Sequence, residues 1–187
     1  GMEDLRLVSF GSTDRDFGYF GTYTAFDGHH IAQQMLHTRD FACFDVFPVT
    51  GAASRGKGLA LFPRLVGGKY VALSRHDGES NYIAFSEHPE SWEKPIPLQT
   101  PEHSWEVLQV GNCGSPIETE HGWLVLIHAV GPMRCYTISA ILLDIDDPTR
   151  VIAHLEHPLI EPLDGERDGY VPNVVYSCGA VVHRGNL

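Results

Sequence analysis

The feature that most constrains this chain is a repeat. An apolar run, a glycine-containing turn and a second apolar run recur with openings at Leu5, Leu59, Ser115 and Asn173, in steps of 54, 56 and 58 residues. Self-similarity at a fixed period marks stacked units that bury their apolar faces only against one another. The runs are short, rich in β-branched and aromatic residues, and punctuated by Gly, Pro or Asp, with almost no helical periodicity. The expectation is an all-β chain with strands near 5–10, 19–26, 31–36, 59–65, 69–74, 82–85, 115–119, 123–128, 136–143, 174–178 and 180–183. A propeller blade usually takes about 40 to 50 residues, so the period fits blades with long loops. At this step 187 residues hold an incomplete propeller of about three and a half blades. One domain over 1–187 is expected, truncated at the C-terminus, where Arg184-Gly185-Asn186-Leu187 opens a turn without a return strand. Truncation is expected at the N-terminus as well, and Gly1-Met2, which reads as a tag residue before a start methionine, leaves the natural beginning open. Open blade edges need cover, which makes a homo-oligomer a candidate assembly.

Charge and composition exclude several function classes. With 13 Lys+Arg against 24 Asp+Glu the net charge is −11, and no basic run exists to neutralise a phosphate backbone, so nucleic acid is not an expected partner. No apolar run approaches the roughly 20 residues of a membrane span, so a membrane is not expected either. Cys43, Cys113, Cys135 and Cys178 lie far apart without C-x-x-C spacing or a signal-like start, which points to reduced thiols and the cytoplasm. Eleven histidines invite a metal, yet no H-E-x-x-H or paired spacing occurs and His29-His30 point to opposite faces of an extended chain. A G-x-S-x-G elbow and a Gly-rich phosphate loop opening a helix are both missing. No metal and no cofactor are expected.

An ordered set of motifs runs along the chain: Glu3-Asp4-Leu5-Arg6, Lys57-Gly58-Leu59-Ala60-Leu61-Phe62-Pro63, Gly68-Lys69-Tyr70-Val71 and Ser74-Arg75. Gly111-Asn112-Cys113-Gly114-Ser115-Pro116-Ile117, Gly122-Trp123-Leu124 leading to His128, and Leu142-Leu143-Asp144 with Asp147-Pro148 and Val151-Ile152 follow, then Gly169-Tyr170-Val171-Pro172-Asn173-Val174-Val175. The set resembles glycoside hydrolase family 130, the β-mannoside phosphorylases and related mannosidases, over essentially the whole chain. The resemblance implies a five-bladed propeller with its active site at the central channel, and members markedly longer than this chain.

Cleaving a glycosidic bond requires a carboxylic acid to protonate the leaving oxygen. The resemblance gives that role to Asp4, from a Glu-Asp-Pro-Arg motif in which Leu5 here replaces Pro, acting through the mannose 3-hydroxyl. Taken alone, Glu3 and Asp4 read as solvated charges at a terminus. Arg6, two residues on, faces the same side of an extended strand and could orient the carboxylate or a sugar hydroxyl. In a phosphorolysis, inorganic phosphate is the co-substrate and nucleophile, so cations must hold it. The resemblance assigns this to Lys57, Arg75 and His128, with Arg55 a weaker addition. Taken alone, the two cations are loop charges and His128 a core histidine. Asp27, Asp77, Asn112, Tyr170 and Asn173 have the chemistry of sugar-binding groups, although turn formation accounts for Asp27 and Asn112 equally well. Trp92, Trp105 and Trp123 are candidate stacking platforms, with a blade core the better expectation for Trp123.

Three functions follow from these residues. The first is inverting phosphorolysis of β-mannosides, with manno-oligosaccharides as substrates and α-mannose 1-phosphate as product. An inverting β-mannosidase is the second, with Glu118 as the carboxylate base or a sugar ligand, though retention of Lys57 and Arg75 argues against it. The third is a non-catalytic carbohydrate-binding propeller fragment.

Overall fold

The fold is that of a computed structural model, which describes residues 1–11, 18–166, 168 and 171–187. It holds three antiparallel sheets, each a blade, as the repeat implied. The first comprises β1 (Met2–Phe10), β2 (Gly18–Phe26), β3 (Ile31–Thr38) and β4 (Asp45–Pro48). The second comprises β5 (Lys57–Leu61), β6 (Tyr70–Arg75), β7 (Asn81–Ser86) and β8 (Ile96–Gln99). In the third, β11 (Gly122–Val130), β12 (Tyr136–Leu143) and β13 (Val151–His154) follow an inner strand split into β9 (Gln109–Asn112) and β10 (Ile117–Thr119). Both β9 and β10 pair with the edge of β11 that β12 leaves free, so they act as one strand interrupted around Ser115-Pro116.

Alternation along the middle blade explains how the three sheets stack. On β5, Leu59 and Leu61 pack with Phe10, Ala72, Ala84 and Trp92 toward the first blade. The intervening Ala60, with Val71, Leu73 and Ile83, packs against Trp123, Val125, Ile127, Ile141 and Leu143 of the third. Period-two side chains thus give one sheet two buried faces. Each large apolar group so buried contributes on the order of 1.5–3 kcal/mol. Trp92 and Trp123 are wholly buried, each donating its indole N–H to a backbone carbonyl, of Pro89 and Ile145 respectively.

The first strand of each blade lies inside and the fourth outside. The outer strands β4 and β13 are mostly exposed, and β4 and β8 carry Pro48 and Pro97, which suit an edge because proline offers no ladder donor. Their short, exposed, non-alternating sequences hide them from pattern reading, as does the length of β9. The expected strands at 174–178 and 180–183 are not strands: only isolated bridges, Tyr136↔Val174 and His183↔Asn186, involve them. Their β-branched sequences carry propensity, but among the described residues no neighbouring strand forms a ladder with them. Among the described residues no helix is long and apolar enough to cross a membrane.

Candidate active site

The blade geometry brings one end of each inner strand together. Asp4, Lys57 and Gln109 stand at the N-terminal ends of β1, β5 and β9, while Arg75 and His128 stand near the C-terminal ends of the antiparallel strands β6 and β11. All five line one open cleft of about 590 Å³, together with Arg134, Tyr136, Val174 and Tyr176. Arg75 and His128, 53 positions apart in sequence, thereby become neighbours.

Bulges aim the side chains. The β1–β2 register shifts between Glu3 and Arg6, and Asp4 takes a left-handed φ of 53° there. The β5–β6 register shifts between Lys57 and Ala60, where Gly58 has φ 89°. A bulge turns a strand locally and re-directs its side chains, and here it does so at the same end of two successive inner strands. Simple strand alternation would turn Arg6 toward the Asp4 carboxylate or a sugar hydroxyl. The bulge instead lets Arg6 Nη1 donate to the Asp4 carbonyl at 3.0 Å, while Nη2 donates to the Tyr176 hydroxyl at 3.1 Å. The Asp4 carboxylate meets that hydroxyl at 3.4 Å through Oδ2 and the Cys178 thiol at 3.8 Å through Oδ1.

Arg75 Nη1 lies 2.7 Å from His128 Nε2. A guanidinium only donates, so Nε2 accepts and the imidazole is neutral with its proton on Nδ1. Burial, then the cations of Arg75 and Arg6, push the His128 pKa down to about 3. His128 therefore adds no charge to the cleft but orients Arg75. Burial also lowers the basicity of Arg75. Gly111 makes the pair possible: a Cβ there would stand 2.7 Å from His128 Cε1 and 2.9 Å from Arg75 Nη1. Lys57 reaches the cleft, with its ammonium held by Glu3 at 3.0 Å.

Other expected residues are placed elsewhere. Asn112 is 1% exposed beside Gly58 and Arg75, and among the described residues its carboxamide has no hydrogen-bond partner. Asp27 caps the β2–β3 turn by accepting from the amides of His29 and His30, and Asp77 caps the β6–β7 turn through Glu79, Ser80 and the Tyr82 hydroxyl. Neither lines the cleft, and turn formation accounts for both. Asn173 contributes its backbone carbonyl to the Tyr136 amide at 2.8 Å, from a left-handed φ of 60°. Tyr170 lies outside the described residues. Arg55 is exposed and does not line the cleft. Trp105 is stacked on His103 and donates to the Glu156 carbonyl, away from the cleft.

Glu118 lies apart from these groups. It sits on β10, toward the opposite end of the inner strand from Gln109, and Arg64 grips both its oxygens at 2.8 and 2.7 Å. The Arg64 guanidinium, itself 4.7 Å above the Trp123 ring, holds the carboxyl below its ordinary value. Its position along β10 places it outside the cleft that Asp4 lines. Asp4 is the only carboxylate among the described residues that line the cleft. No group of three or more His, Cys, Asp or Glu among the described residues could hold a metal.

Sequence reading missed Tyr176, Tyr136 and Arg134. Tyr136 faces His128 with ring centroids 6.4 Å apart, and Tyr176 meets it edge-on at 5.0 Å. Burial raises the Tyr176 pKa to about 12 and the Cys113 thiol to about 12, so both stay protonated. Tyr176 and Tyr136 alternate with apolar residues exactly as core residues do, which left no signal for a site.

Stacked four-stranded blades, with an acid and a cation cluster at the mouth of the inner strands, define a β-propeller of the carbohydrate-active class. The chain belongs to glycoside hydrolase family 130: the model of that family, described as beta-1,4-mannooligosaccharide phosphorylase, matches residues 1–187. It is 42% identical over 97% of its length to the 1,2-beta-oligomannan phosphorylase of Thermoanaerobacter sp. (strain X514), covering 61% of that protein. Identity to the beta-1,2-mannobiose phosphorylase of Listeria innocua is 31%, over 97% of this chain and 51% of that protein. The solved structure of the Listeria innocua enzyme with beta-1,2-mannobiose superposes with a TM-score of 0.84 at 30% identity, covering 98% of this chain and 52% of that one. The chain thus spans between half and two thirds of the length of these relatives.

Proposed function

We propose that the protein catalyses inverting phosphorolysis of β-mannosides, releasing α-mannose 1-phosphate from manno-oligosaccharides. The observation that carries this reading is the composition of the cleft: one carboxylate, Asp4, faces Arg75 and Lys57, with Arg6 behind it, and Glu118 is held elsewhere by Arg64. Phosphate is already a nucleophile and needs cations to hold it, whereas a hydrolase needs a second carboxylate to activate water. Asp4 protonates the leaving oxygen, while phosphate on Arg75 and Lys57 attacks the anomeric carbon from the opposite face. The C–O bond to the leaving sugar breaks as the C–O bond to phosphate forms, which inverts the centre. Three relatives named for beta-1,2-linked mannans or mannobiose make that linkage the first to test. Four unpaired cysteines are in keeping with a cytoplasmic enzyme.

The test incubates the purified protein with β-1,2-linked mannobiose, with and without inorganic phosphate, and follows sugar phosphate and free mannose separately. α-Mannose 1-phosphate formed only with phosphate is the expected result. Equal release of mannose from both ends of the disaccharide without phosphate would assign a hydrolase, and sugar binding without turnover a binding module.

A further inference from the structure

Tyr176 meets Arg6 and Asp4 of the first blade and His128 of the third. It lies on a segment that forms no sheet but is fastened to the start of β12: the Tyr136 amide donates to the Asn173 carbonyl at 2.8 Å, and the Val175 amide to the Tyr136 carbonyl at 3.4 Å. This docking places the phenol between Arg6 at 3.1 Å and Asp4 Oδ2 at 3.4 Å, with the ring edge-on to His128 at 5.0 Å. Directions follow from the groups themselves. Arginine only donates, so the Tyr176 oxygen accepts from Arg6, and its single hydrogen is left to point at the Asp4 carboxylate.

Asp4 needs such support. It is a non-glycine residue at φ 53° within a bulge, a conformation that persists only where the surroundings over-determine it. Arg6 fixes its carbonyl, and Tyr176 and Cys178, two residues apart on the docked segment, meet its two carboxylate oxygens. We infer that Tyr176 is the positioning residue of the general acid: its hydroxyl, fixed by Arg6, sets the aim of the Asp4 carboxylate and couples it to the cationic side of the cleft. Burial raises the Tyr176 pKa to about 12, so the phenol keeps the proton that this role requires. The inference rests on the proposed phosphorolysis for its kinetic consequence, but not for the contact itself.

The deciding variant is Tyr176→Phe, which keeps the ring against His128 and removes only the hydroxyl. In the phosphorolysis assay kcat is expected to fall about tenfold or more, as for loss of a hydrogen bond to a charged group, with the KM for phosphate unchanged. An unchanged kcat, or a raised KM for phosphate at normal kcat, would overturn the assignment. A second readout needs no activity: in protein labelled with carbon-13 at aspartate carboxyls, with the Asp4 signal identified by Asp4→Asn, the Asp4 resonance moves in Tyr176→Phe. A stationary resonance also overturns the inference. If the wild-type protein gives no phosphate-dependent product, the proposed reaction fails, and the resonance comparison alone decides whether Tyr176 holds Asp4.

Discussion

Arg75 and His128 stand 2.7 Å apart, guanidinium nitrogen to imidazole nitrogen, with the histidine as acceptor. Two potential cations at that distance coexist only because one is neutral. Burial, with Arg75 and Arg6 close by, keeps it so.

The first prediction concerns pH. The His128 pKa is depressed from 6.5 to about 3, so in that window the unfolded chain binds a proton that the folded chain refuses. The stabilisation is fully present above 6.5 and is lost as pH falls toward 3, at up to about 1.4 kcal/mol per pH unit. Denaturant unfolding from pH 7 to pH 4 should show a shallower loss of stability in His128→Gln than in the wild-type protein. Parallel curves would mean that His128 is accessible to protons in the folded state.

Gly111→Ala tests the fit around the same pair. The added methyl meets His128 and Arg75 at under 3 Å, so one must move. Overpacking of this kind costs about 1–3 kcal/mol, and the KM for phosphate should rise about tenfold as Arg75 is displaced. Unfolding midpoints and phosphate titrations of kcat measure both.

Asp4→Asn preserves shape and removes the acid. Turnover should drop about 10²- to 10⁴-fold with the fold retained, since that is the usual contribution of a positioned general acid. Wild-type turnover in this variant would remove Asp4 from the mechanism.

Glu3 holds the Lys57 ammonium that the proposed reaction assigns to phosphate. The pair is substantially exposed and contributes only about 0–1 kcal/mol, so Glu3→Gln should leave stability nearly unchanged. With its ammonium released, Lys57 is expected to lower the KM for phosphate a few-fold, measured by initial rates at low ionic strength.

Glu118→Gln is expected to leave kcat and the KM for phosphate as they are, because Arg64 holds this carboxylate on β10 outside the cleft. A large loss of turnover would restore Glu118 as a functional group and reopen the hydrolytic mechanism.

The outcome for Glu118 shows where sequence reading stops. As a carboxylate near a strand of the channel wall it was chemically eligible, but position along the strand decides which mouth a residue faces, and nothing local encodes that. The same holds for Tyr176, whose alternation with apolar neighbours resembles core patterning until the docked segment places its hydroxyl between Arg6 and Asp4. His128 was legible as a member of the site, yet its neutrality depends on burial and on cations contributed by other blades.

By itself the sequence determined the all-β class, the blade period and the strands whose alternation or apolar runs encode burial, because these follow from period-two side chains and turn residues within short windows. Through its motifs it also pointed to Asp4, Lys57, Arg75 and His128 as one site. Tertiary structure decided which ends of the inner strands meet, which acid faces the cations, and which donors hold it. Those are relations between blades, set by stacking of whole sheets and by bulges that turn single side chains, and no window of sequence contains them.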